Sequence, residues 1–149
     1  MASPPTARIR GPGRRIVVAY DGSDSSARAT QFALQEWTAG GGEVWIVHAN
    51  EVPPTVAEPR TDEEQGTESE AIEQGMRAIQ STADASGRQV HVWVREGKAA
   101  AVILAASAEV DATLIVVGTR GLRGASRLLL GSVSMEVLVH SQRPVVVVP

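Results

Sequence analysis

A chain of 149 residues with 14 basic and 17 acidic side chains has the size of one ordinary domain and a net charge of −3. At 43% hydrophobic residues it can bury about two thirds of its unfolded surface without a metal or a disulfide. The absence of cysteine excludes thiol catalysis, Cys-ligated zinc and disulfides, and a mildly acidic chain with three Trp, one Tyr and one Phe lacks the basic, ring-lined surface of a nucleic-acid binder.

Residues 1–14 include Pro4, Pro5, Gly11, Pro12 and Gly13, which break regular structure, and no apolar segment of a targeting signal, so they read as a flexible tail before a domain at 15–149. No apolar run nears the ~20 residues of a membrane span. Cytoplasmic location is the expectation, with neither membrane nor nucleic acid as a partner. Ile16 to Tyr20 is apolar without polar alternation and closes at Asp21-Gly22, which predicts a strand covered on both faces. A first helix follows from a cap among Ser23, Asp24 and Ser25. It places Ala29, Ala33, Leu34 and Trp37 inward and ends at Gly40-Gly41-Gly42. The second strand is Val44 to Ala49. Asn50 to Glu73 then holds eight of the acidic residues against one basic residue, Arg60, with three prolines, and reads as a mobile acidic loop.

Ile72, Met76, Ile79 and Ala83 recur at spacings of 4, 3 and 4 and predict a second helix, stopped by Gly87. Val90 to Val94 is a third strand. A third helix over Ala99 to Ala108 turns Val102, Ile103 and Ala106 inward. Leu114 to Val117 is a fourth strand, and a fourth helix over Ser132 to Ser141 turns Val133, Val137 and Leu138 inward. Pro144 precedes the last strand, Val145 to Val148. Strict alternation of strand and helix predicts an α/β domain with an open parallel sheet and helices on both faces.

In such sheets ligands bind beyond the carboxyl ends of the strands. After the fourth strand, Gly118 and Gly121 let backbone N–H groups approach an anion, and Gly131-Ser132 opens a helix whose N-terminus favours phosphate. Arg120, Arg123 and Arg127 add positive charge. The segment is an anion cradle without the Gly-Lys-Ser/Thr of a Walker loop. His48, His91 and His140 fall on separate elements and read as structural rather than as metal ligands.

The spacing Gly118-x2-Gly121-x9-Gly131-Ser132, preceded by Leu114 to Val117 and followed by Pro144 to Val148, resembles the nucleotide motif of the universal stress protein family, as Ile16 to Ser23 resembles that family's first strand and turn. The resemblance covers 15–149. It implies a single-domain, Rossmann-like fold of the adenine nucleotide alpha hydrolase type, a five-stranded sheet in the order 3-2-1-4-5, and ATP binding, with any magnesium arriving on the nucleotide. AMP and cyclic AMP present the same adenosine with a phosphate. It further implies roles for Ala19, Tyr20 and Asp21 at the end of strand one, Asp21 near ribose and phosphates, and for Ala49, whose backbone reads the adenine edge. Val117, Gly118, Gly121, Arg123, Gly131, Ser132 and Val133 make the phosphate loop. Homodimers through the last strand, Val145, Val146, Val147 and Val148, are implied as well, and a regulatory role through an unnamed protein partner, with at most slow ATP hydrolysis. One departure stands at Gly97-Lys98-Ala99, where the family often has Gly-x-Pro.

Three other readings compete. A dimeric scaffold of the same fold would have lost the ligand, against the intact glycines. An ATP-pyrophosphatase-type enzyme would use Asp21 to Ser26 as its phosphate loop, which lacks the leading Ser and the second Gly. A receiver domain needs a phosphoacceptor Asp after strand three, where Glu96 stands.

Overall fold

Five β-branched runs become the strands of one parallel sheet, and the helices between them supply the covers that a sheet apolar on both faces requires. The computed structural model describes residues 13–37, 41–51, 62–119 and 130–149. The elements are β1 (Arg15–Ala19), α1 (Asp24–Trp37), β2 (Glu43–Asn50), α2 (Asp62–Ala85), β3 (Gln89–Glu96), α3 (Ala99–Glu109), β4 (Leu114–Gly118), α4 (Ser132–His140) and β5 (Val145–Val148). The strand order is β3-β2-β1-β4-β5, and every pairing is parallel, as the alternation and the resemblance imply.

Successive side chains of a strand leave on opposite faces, so the sheet has two apolar layers. On one face Ile16, Val18, Ile46, Leu114 and Val116 pack under α1 and α2 through Ala29, Ala33, Met76 and Ala83. On the other, Val17, Val47, Ile115 and Val117 pack under α3 and α4 through Val102, Ile103, Ala106 and Val137. β1 lies between β2 and β4, so the central strand of the sheet is the one that Asp21 follows.

Two expectations need correction. The acidic stretch 50–73 is not a loop throughout: α2 begins at Asp62, because Glu, Gln and Ala are good helix formers. Leu138 does not face inward and is 44% exposed. Ser134 holds the inward position that a regular apolar stripe would give to a hydrophobe, and the stripe narrows to Val133 and Val137. The tail through Pro12, Gly40, residues 52–61 and the side chain of Trp37 lie outside the described residues.

The two sheet edges differ. The Gly97 N–H bonds back to the Asn50 carbonyl, so odd-numbered residues of β3 aim their backbone at β2 and even-numbered ones aim outward. One outward carbonyl, that of Val90, accepts from Gln80 Nε2 of α2 at 3.0 Å. On the α3 side, Arg95 lies 4.0 Å over the Trp93 ring and makes a two-pronged pair with Glu109, at 2.6 and 3.1 Å. β5, at the other edge, has valines alone.

The Arg95 hydrogen bonds hold the Glu109 carboxyl below its usual range. A carboxyl with a depressed folded pKa adds stability above its unfolded pKa and loses it as pH falls through the folded value. We therefore expect Glu109→Gln to be less stable than the wild type near neutral pH, with the gap closing on acidification below the ordinary carboxylate range. Urea titrations at several pH values read it. The pair is exposed, so molar salt should shrink the gap as well.

Candidate functional site

The carboxyl ends of β1, β2 and β4 meet the first turns of α1, α3 and α4, and the residues singled out from the sequence gather there. Ala19 ends β1, Tyr20 and Asp21 follow it, Ala49 is the penultimate residue of β2, and Val117 and Gly118 close β4. Gly131 is the N-cap residue of α4, with Ser132 and Val133 in its first turn. Ala19, Ala49, Val117 and Val133 all belong to the layer under α3 and α4, so four positions far apart in the chain line one apolar patch at one end of the sheet. Gly121 and Arg123, with Arg120 and Arg127, lie outside the described residues.

The turn after β1 is built from its own polar atoms. The Ser23 N–H donates to Asp21 Oδ1 at 2.9 Å, Ser26 Oγ donates to the Ser23 carbonyl at 2.9 Å, and the Ser26 N–H donates to Ser23 Oγ at 3.2 Å. Gly22 has φ of +82°, a conformation that side chains rarely adopt. These hydroxyls are buried in capping α1 rather than open as a phosphate loop, which counts against the ATP-pyrophosphatase reading. Beside the turn, His48 Nδ1 lies 2.8 Å from the Tyr20 carbonyl. A carbonyl only accepts, so Nδ1 carries the proton and the ring anchors the residue before Asp21.

Gly118 meets a different constraint. A Cβ placed there would lie 2.5 Å from Ser25 Oγ and 2.8 Å from the Ser25 carbonyl carbon. Only glycine lets the exit of β4 pass this close to the first turn of α1. From the other side Ser134 Oγ donates to the Gly118 carbonyl at 2.5 Å and fastens α4 to the same residue. The segment between β4 and α4 is pinned at its ends, where the Gly131 N–H donates to the Thr119 carbonyl at 2.7 Å and the Thr119 N–H to the Val148 carbonyl at 2.9 Å.

All four helices start at the carboxyl end of the parallel sheet, and of the three that meet the strand ends named above two are closed by the chain's own side chains. α1 is closed by the Asp21–Ser26 turn. α3 is closed by Glu51, whose Oε1 accepts from the Ala99 N–H at 2.7 Å. Gly131 gives α4 no side-chain cap, so among the described residues it is the helix start whose first-turn amides and positive dipole end are left to an anion. Sequence reasoning missed Ser134 and Glu51, and read His48 as structural without its partner. A lone Ser inside an apolar helix pattern was the only local signal for the first, and nothing local marked the other two.

The remaining histidines do structural work. His91 stacks on Trp45 with ring centroids 4.2 Å apart and meets Glu43 at 3.2 Å, while His140 lies 3.0 Å from the Glu136 carbonyl. No group of three metal-ligating side chains occurs among the described residues. A shallow groove of about 330 Å³ between the C-terminal halves of α1 and α2, lined by Leu34, Ile79, Thr82 and Arg88 among others, sits at the amino end of β3, opposite these residues.

The sequence matches the model of the Universal stress protein family over residues 13–149. The chain belongs to the universal stress protein family. It is 37% identical over 136 residues to a universal stress protein of Thermus aquaticus, covering 91% of this chain and 98% of that one. To a universal stress protein of Methanocaldococcus jannaschii it is 32% identical over 138 residues, covering 91% and 81%. Among solved structures it is similar to a universal stress protein in complex with cAMP, at TM-score 0.67 and 30% identity, covering 91% and 97%. It is also similar to the universal stress protein from Archaeoglobus fulgidus in complex with dAMP, at TM-score 0.64 and 26% identity, covering 91% and 98%. As a single-domain, UspA-like universal stress protein, the chain carries the family's Rossmann-like sheet with the positions above at its carboxyl end. No helix among the described residues is long and apolar enough to cross a membrane.

The Gly118 contact gives a direct test. Gly118→Ala should destabilise the protein by about 1–3 kcal/mol in urea unfolding, the usual cost of overpacking. Adding Ser25→Ala should recover little, because the Ser25 carbonyl carbon stays in the way.

Proposed function

We propose that this universal stress protein binds an adenine nucleotide at the carboxyl end of its sheet, with ATP as the ligand, and that occupancy regulates a protein partner in the cytoplasm rather than driving turnover. The observation that carries the reading is the open N-terminus of α4 beside the patch of Ala19, Ala49, Val117 and Val133. A helix N-terminus favours phosphate, and small apolar residues leave room for a flat base. The relatives solved with cAMP and with dAMP support the ligand class. In this reading Ala49 offers backbone groups to the base edge, and Asp21 faces ribose and phosphates. Gly118, Gly131, Ser132 and Val133 hold phosphate together with Gly121 and Arg123. Any magnesium comes with a triphosphate, since Asp21 is the one carboxylate among these positions and already accepts from the Ser23 N–H.

Thermal unfolding with AMP, cyclic AMP, ATP with magnesium, and GTP tests it. An adenine nucleotide at 100 times its dissociation constant should add about 2.7 kcal/mol, or about 5–10 °C for a domain of this size. Gly131→Val should abolish the shift while leaving the apo protein folded. A protein that no nucleotide shifts is the dimeric scaffold instead.

The unequal edges support a homodimer through β5. The Ile115 and Thr119 N–H groups bond the Pro144 and Val148 carbonyls, so even-numbered residues of this strand face β4 and the backbone of Val145 and Val147 points outward. Met135, Leu138 and Val139, all exposed, add an apolar ridge on α4, which packs against the same edge. A second copy of β5 would take up the outward groups. Val147→Pro removes an outward N–H without touching the β4 ladder. Sedimentation should show a dimer for the wild type and a folded monomer for the variant.

A further inference from the structure

The N-terminus of α3 is capped from a distance. Lys98 stands at the N-cap and its side chain makes no capping bond. Instead the Ala99 N–H, at the first position of the helix, donates to Glu51 Oε1, a residue 48 positions earlier in the chain. Two features of the sequence make this bond. Position 99 is Ala, so the amide has a hydrogen to give; the proline that the family often carries there has none. Glu51 also follows Ala49 by two residues, and in extended backbone alternate side chains share a face. Ala49 packs into the layer under α3, and Glu51 reaches the end of that helix.

Asn50, between them, is fastened twice. Its carbonyl accepts from the Gly97 N–H at 3.1 Å, and its Oδ1 accepts from Ser69 Oγ of α2 at 3.1 Å. Residues 49–51 are thus tied to α2, to the turn after β3 and to α3. Of these ties, only the Glu51 cap joins the exit of β2 to the helix that covers the Ala49 side of the sheet.

We propose that Glu51 is a positioning residue of the nucleotide cleft: by capping α3 it sets where the Ala49 backbone stands relative to that helix, and so how well the base is held. The inference rests on the adenine-nucleotide reading above. Glu51 touches no ligand in it. Its influence travels through one hydrogen bond, so its effect on affinity cannot exceed what that bond is worth, a helix cap's equivalent of about fivefold.

The test is calorimetric titration of AMP, and of ATP with magnesium, into the wild type, Glu51→Ala, Glu51→Gln, Ala99→Pro and the double variant Glu51→Ala/Ala99→Pro. Amide hydrogen exchange at Ala99 is measured in those that keep the amide. Glu51→Ala should weaken AMP about fivefold and speed exchange at Ala99. Glu51→Gln keeps an oxygen acceptor and should recover most of both. In the Ala99→Pro background, where no N–H exists to be capped, Glu51→Ala should change AMP affinity no further. Unchanged AMP affinity in Glu51→Ala, or a loss that persists undiminished in the Ala99→Pro background, overturns the positioning role alone. A wild type that binds neither AMP nor ATP with magnesium, while exchange at Ala99 still depends on Glu51, overturns the nucleotide reading and this role with it, leaving a structural cap.

Discussion

The site depends on how closely β4 may pass α1. With no Cβ at Gly118, Ser25 sits directly against the strand's last residue, so α1 packs down onto the sheet at its N-terminal end instead of standing off by a side chain. The same residue offers its carbonyl to Ser134, which draws the first turn of α4 to the opposite side. One glycine therefore fixes two helix starts relative to one strand end. The Thr119–Gly131 bond then has only to close the segment between them.

Crowding several helix starts against strand ends brings many backbone polar groups together, and the chain satisfies them with small hydroxyls. Ser23, Ser25, Ser26, Thr30 and Ser134 are all buried, and no buried side-chain nitrogen or oxygen among the described residues is left without a partner. Each unmet group would cost about 1–3 kcal/mol. Serine suits this place because its hydroxyl both donates and accepts while adding little volume. Larger polar residues would push the helices apart, and alanine would leave carbonyls such as that of Gly118 unpaired.

Most of the fold was legible because its signals are local. A continuous apolar run such as Ile16 to Tyr20 or Leu114 to Val117 has few alternatives to a strand covered on both faces, and Gly41, Gly87 and Pro144 mark breaks between elements. The start of α2 is hard to place from sequence because charge and proline run together there: prolines lie at 53, 54 and 59, but the glutamates beyond Asp62 are helix formers. Leu138 was misplaced because helical periodicity fixes a stripe only to within one residue, and a long-range bond from Ser134 shifted it. The site followed the same rule. Its glycines and Asp21 announce themselves in short motifs, whereas the Glu51 cap and the His48 anchor join residues 48 and 28 positions apart and leave no local pattern.

The electrostatics of the carboxyl end give the site a direction. A helix end exposes unsatisfied N–H groups worth about half a positive charge, and three such ends side by side would draw an anion without selecting among them. Here Asp21 with its serines closes α1, and Glu51 closes α3. The Glu51 closure also brings negative charge, so it does more than occupy a donor: it raises the cost of placing a second anion at α3. Among the described residues of these three helix starts, what is left is α4, whose N-cap is a glycine with no side chain to offer. In the nucleotide reading proposed above, the anionic end of the ligand lies at α4 and its uncharged base toward β2, a direction set by which helix starts the chain has capped with its own side chains.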